Sequence, residues 1–193
     1  MLKPVAILLV FLAASSALAV VDPNPDSFGI YFNTSNNSNC MMTTQYYVPF
    51  PVYLVLMNPM AATNGFECTV TKVASAGHFV LSTTLNGVGA LDVDASENGY
   101  MVGCAANYPV VSSGCTLVTW NFMVTSPGYI EVYIGPATIP SMSGGLPVVT
   151  GNGALRRCGV SSGDVTVRCG TVGEACPFPT ETSAFGSVKS LFR

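Results

Sequence analysis

The chain has 193 residues, 49% of them hydrophobic and only 9% charged, with seven Lys and Arg, ten Asp and Glu, and a formal net charge of −3. Soluble domains usually carry roughly 25% charged residues. No cluster of positive charge exceeds Arg156-Arg157, which excludes a nucleic-acid partner held through phosphate neutralisation.

The chain opens on the pattern of a secretory signal over residues 1–19. Lys3 supplies the positive start, Val5 to Ala14 the apolar run, and Ala17-Leu18-Ala19 the small residues for cleavage before Val20. The run is shorter than the ~20 residues a membrane-spanning helix needs. The expected organisation is a signal (1–19), a β-sandwich domain (20–172), and a linker with a C-terminal tail (173–193). The reading implies a secreted or cell-surface protein with no membrane span after signal removal.

A leader with Pro23 and Pro25 precedes the first expected strand, 27–32 (SFGIYF). The polar loop 33–39 carries N-x-S/T sequons at Asn33 and Asn36, which mark a surface loop. A short strand is expected within 41–47. The stretch 52–58 (VYLVLMN) is apolar on both faces and reads as a central strand ended by Pro59. Asn64-Gly65 is a turn signal before 66–73, where Phe66, Cys68 and Val70 alternate inward against Glu67, Thr69 and Thr71. In 78–85 the same rule puts Phe79, Leu81 and Leu85 inside and His78 outside.

Residues 86–98 read as irregular. Asp92, Asp94 and Glu97 concentrate oxygen ligands there, which makes them a candidate structural calcium site, although the glycine spacing of the standard calcium loop is absent. No other cofactor is expected. A strand follows at 100–105, then the most strongly patterned stretch, 117–135. Val118, Trp120, Phe122 and Val124 share one face, Ile130, Val132 and Ile134 share another, and Thr125-Ser126-Pro127-Gly128 forms the turn. A Pro/Ser/Gly connection (135–145) leads to strands expected at 146–150, 155–160 and 164–169. About nine or ten short strands, no convincing helix before residue 180, and frequent turns predict an all-β, antiparallel β-sandwich.

Seven cysteines in an exported chain read as disulfides. Cys104 with Cys115 and Cys158 with Cys169 each enclose ten residues, and Cys40 with Cys68 is then the natural third pair. Cys176 is left over, and Cys169 with Cys176 is a rival pairing. Tight C-x-x-C spacing for zinc is absent.

Catalytic patterns are thin. Gly159-Val160-Ser161-Ser162-Gly163 matches G-x-S-x-G, but a strand is expected after it, and the only histidine, His78, lies upstream. A turn between strands explains these residues, and the chain reads as non-enzymatic. Tyr129 and Tyr133 face outward four residues apart on one strand, and with Tyr53 they are candidates for a ligand-stacking platform.

The order VYLVLMN, GFECTV, FVLSTTL and then GCTLVTWNFMVTSPGYIEVYIGP resembles cohesin-like modules and the related carbohydrate-binding sandwiches over about residues 27–150. That resemblance implies a non-catalytic module binding a dockerin-type protein, a glycan or a surface component, and it carries over no site residues. The end of the chain, AFGSVKSLFR, is similar to the short aromatic and basic tails of exported bacterial surface proteins. The function expected is therefore a protein-binding or structural module at the cell surface. The alternative is a carbohydrate-binding module using the outward tyrosines.

Overall fold

A computed structural model of the chain describes residues 22–42 and 45–173. Among these residues there is no helix; the chain forms thirteen strands. They are β1 (Ser27–Tyr31), β2 (Cys40–Met41), β3 (Pro49–Met57), β4 (Gly65–Ala74), β5 (His78–Leu85), β6 (Leu91–Asp92), β7 (Gly99–Gly103), β8 (Gly114–Val124), β9 (Tyr129–Gly135), β10 (Val148–Gly151), β11 (Ala154–Arg157), β12 (Gly159–Val160) and β13 (Gly170–Gly173).

Two sheets face one another. The first runs β12-β1-β3-β8-β5, and the second runs β11-β10-β4-β9-β13-β2, with β7 also paired to β4 and β6 to β7. The pairing is antiparallel except for β1 with β12 and β13 with β2, which are parallel. The sheets are thus mixed, where a purely antiparallel sandwich is expected from sequence.

Alternation builds the interior. From the first sheet Phe28, Ile30, Val52, Leu54, Leu56, Trp120, Phe122 and Val124 point inward; from the second, Phe66, Cys68, Val70, Ile130, Val132 and Ile134 meet them. Trp120 donates from Nε1 to the Tyr100 hydroxyl at 2.9 Å, so its one polar atom is satisfied inside the core. Opposite Leu54 and Val55, β8 carries a bulge, and the two consecutive residues Leu117 and Val118 are both buried there. On the outer face of the first sheet Tyr31, Val55 and Met57 form a small second cluster, with Tyr53 packed against it.

Several expected elements shift. β3 begins at Pro49, before the expected start, because the stretch before Tyr53 has only β8 beside it. A proline that donates no ladder hydrogen bond is tolerated along such a half-open strand. Of the strand expected within 41–47, the described residues show only Met41, the end of β2, and 43–44 lie outside the described residues. The expected strand 164–169 is a series of turns instead: Asp164 accepts from the Thr166 amide and hydroxyl through one carboxylate oxygen, and its carbonyl accepts from Val167 N. The strand lies one step later, in β13. The stretch 155–160 divides at Cys158, with β11 in the second sheet and β12 in the first.

The expected staples are absent. Cys68, Cys104, Cys115, Cys158 and Cys169 carry free thiols, which rules out 40–68, 104–115, 158–169 and the rival 169–176. Cys40 is disulfide-bonded, though to none of these five, and Cys176 lies outside the described residues. Four of these thiols are directed elsewhere. Cys104 Sγ meets the Tyr108 hydroxyl at 3.0 Å, whereas Cys115 Sγ faces the Tyr108 carbonyl at 3.9 Å. Cys158 Sγ faces the Arg156 carbonyl and Cys169 Sγ meets Ser162 Oγ at 3.3 Å. Four of the five are buried and behave as small apolar side chains. The signal (1–19) and most of the linker and tail, from residue 174, also lie outside the described residues.

Candidate functional site

β9 presents its outer face as the alternation requires: Ile130, Val132 and Ile134 are buried, and Tyr129, Glu131 and Tyr133 point the other way. The Tyr133 hydroxyl donates to Glu131 Oε2 at 2.8 Å, and Glu131 Oε1 pairs with Arg168 Nη1. Arg168 comes from the turns before β13, so a strand and a neighbouring loop are joined by one polar chain. The Tyr133 hydrogen bond is the main cause that holds the Glu131 carboxyl below its ordinary range; burial opposes it, and the hydrogen bond and charge of Arg168 add to the lowering. The same bond raises the Tyr133 phenol.

Beside this chain lies a hollow of about 420 Å³, lined by Asn39, Cys40, Tyr133 and residues 166–171. Its guanidinium is already balanced by Glu131, so the wall carries hydrogen-bonding groups without net charge. The Asn39 side-chain amide takes part in none of the hydrogen bonds among the described residues. Val73 lies on the same outer face, opposite Glu131 on β4, and is 46% exposed.

The three tyrosines proposed as one platform do not form one. Tyr129 and Tyr133 sit on the outer face of the second sheet, while Tyr53 packs on Tyr31 on the outer face of the first. The sandwich separates them, because β3 and β9 belong to different sheets. Arg168 and Asn39 carry no signal at sequence level: Arg168 sits in an alternating run that reads as a strand, and Asn39 in a loop of asparagines and serines.

The acidic loop is built as a set of turns. One Asp92 oxygen accepts from the amides of Asp94 and Met101 at 3.0 and 2.9 Å, and Asp94 accepts from the Ser96 amide at 2.9 Å. The bonds from Ser96 hold the Asp94 carboxyl below its ordinary range. Among the described residues no three His, Cys, Asp or Glu side chains converge as a metal shell, so Asp92, Asp94 and Glu97 are not brought together as one.

The remaining chemical candidates are also engaged. His78 Nδ1 lies 3.2 Å from the Ala76 carbonyl, its ring stacks on Phe122, and the thiol contacts given above do not include it. After Gly159-Val160 the chain turns at Ser161 and Ser162 with no helix following, so the geometry of a nucleophile elbow is not formed. Glu67 is buried on the outer face of β4, where it accepts from the amide and hydroxyl of Ser141, both at 2.7 Å, and straps the 136–147 connection to the sheet.

Among solved structures the chain is similar to the sixth cohesin of scaffoldin B from Acetivibrio cellulolyticus, solved in complex with a Cel5 dockerin mutant. The identity is 14%, the TM-score 0.48, and the match covers 78% of this chain and 99% of that one. It is also similar to a cohesin module of a family 33 glycoside hydrolase from Clostridium perfringens, at 13% identity and a TM-score of 0.44, over 69% of this chain and 89% of that one. With TM-scores below 0.5, neither likeness bears on function. No protein-family model matches the sequence, and no curated protein matches it.

Proposed function

We propose that the chain is a non-catalytic binding module that docks a protein partner on the outer face of the second sheet, around Tyr129, Tyr133, Glu131 and Arg168. The observation that carries this is the fixed Tyr133–Glu131–Arg168 chain at the rim of the hollow. Tyrosine and arginine are, with tryptophan, the side chains enriched among residues that dominate protein interfaces, because each brings a large contact area with a polar tip. Held in place beforehand, they lose less entropy on binding. The exported setting is part of the same reading and rests on the signal pattern of residues 1–19.

A second reading, a neutral saccharide in the hollow, is favoured by its balanced charge and by the Asn39 amide, which lines it together with Tyr133 and is bonded to none of the described residues.

Random-peptide phage display against the full mature chain tests the first reading. Selected peptides should lose about 30-fold or more in affinity to Tyr133→Ala, the loss of one dominant interface residue. They should also lose affinity to Arg168→Ala, with Asn86→Ala unchanged. Peptides that bind all variants alike would remove the site. Binding on a glycan array that is lost in Asn39→Ala, without peptide binding, would move the assignment to the saccharide.

A further inference from the structure

We propose that β5 pairs with β5 of a second copy of this chain, joining the two first sheets edge to edge across a twofold axis. β5 ends the first sheet and, among the described residues, is hydrogen-bonded on one side only, to β8. Six of its eight residues are exposed, among them Phe79 at 58%, Val80 at 38% and Leu81 at 48%. An open edge of this length presents a row of unpaired N–H and C=O groups, and soluble proteins usually guard such an edge with charge or proline. The stretch HFVLSTTL has neither.

The one guard is a bulge between Val80 and Ser82, which leaves Leu81 out of register with β8. A second copy fits that irregularity. With the axis between Leu81 and Ser82, the two bulges face each other at the centre and regular backbone lies on either side. Phe79 then stands opposite Thr84, Val80 opposite Thr83 and His78 opposite Leu85. Aromatic and β-branched cross-strand pairs of this kind are favourable, and no like charges oppose one another.

The contact widens onto the sheet. Pro49, Met123 and Phe79 lie side by side across β3, β8 and β5 on the outer face. Eight paired residues span about 26 Å at ~3.3 Å each. Such a contact belongs to the weak, concentration-dependent class of interface. A twofold pairing uses each β5 edge once, so it gives a closed dimer rather than a growing sheet.

Sedimentation velocity and light scattering on the full mature chain, from micromolar to near-millimolar concentration, test the pairing. A monomer–dimer equilibrium is expected, weakened ~10-fold or more by Phe79→Lys and by Thr84→Lys, the substitutions that guard an edge. Both positions are exposed, so thermal melts of the variants should match the parent. Amide exchange of 78–85 should slow with concentration in the parent and not in the variants. A monomer at every concentration overturns the proposal, whether the β5 amides exchange freely or are shielded by another part of the same chain. A dimer indifferent to both substitutions overturns it equally.

Discussion

Burial decides what the cysteines do. Desolvation raises the Cys115 thiol to about 11 and Cys158 to about 12, from an ordinary 9.0, and pushes Cys68 well above it. At neutral pH these groups hold their protons in both the folded and the unfolded chain, so their titration changes nothing. Above pH 9 the unfolded chain loses its thiol protons first, and stability falls as pH rises through the folded values. The melting temperature is therefore expected to decline between about pH 9 and 11. In native protein at pH 8, iodoacetamide should label half-buried Cys104 before the four buried thiols, which should become reactive only in denaturant. Rapid native labelling of Cys68 or Cys158 would contradict their burial. The sequence shows seven cysteines and an export pattern but not the direction of any sulfur, so a bridge and a buried thiol look alike in it. The inward placement of Trp120 and Val132 is legible, because beyond the bulge a period of two runs unbroken from Val118 to Val124 and again along β9.

At the sheet edge the faces of a strand are less legible in the sequence, for a local reason. Alternation assigns faces only while the register is regular, and β5 carries a bulge. His78 therefore faces inward against Phe122, while Phe79 points out beside Met123, the reverse of the expected phase; beyond the bulge Leu85 packs against the core as expected. Sheet membership is equally hidden: β11 and β12 are separated by Cys158 alone yet lie in different sheets. Close backbone approach leaves one testable mark. A Cβ on Gly151 of β10 would sit 1.8 Å from the Ala62 carbonyl oxygen, a backbone atom that cannot swing aside. Gly151→Ala is expected to cost about 3 kcal/mol, the upper range for overpacking, because the strand or the loop must move. Denaturant titration checks this, and Gly145→Ala is no substitute control, since Gly145 has positive φ (+68°). Gly103→Ala, with open space around it, is the proper one.

At the scale of the whole molecule, the two sheets are tied at one corner by a single ionic group. Asp26, at the entry to β1, accepts from Arg156 Nε at 2.9 Å and from the Met60 amide at 3.0 Å. Arg156, from β11, also donates to the Ala61 carbonyl and to Thr63 Oγ1. The first sheet, the second sheet and the loop between β3 and β4 meet in these bonds. Asp26 holds this place at a positive φ of 45°, a conformation aspartate tolerates better than most residues. The Asp26 side chain is 7% exposed and that of Arg156 19%, so removing one partner strands a largely buried charge. Arg156→Met is expected to cost about 3 kcal/mol, the low end for a broken buried pair, because some water reaches the guanidinium. The double change Asp26→Asn with Arg156→Met should recover part of that loss, since no uncompensated carboxylate remains. A double-mutant cycle by denaturant unfolding measures the coupling. If the two losses simply add, the corner is held by packing of the surrounding strands, and the ion pair only decorates it.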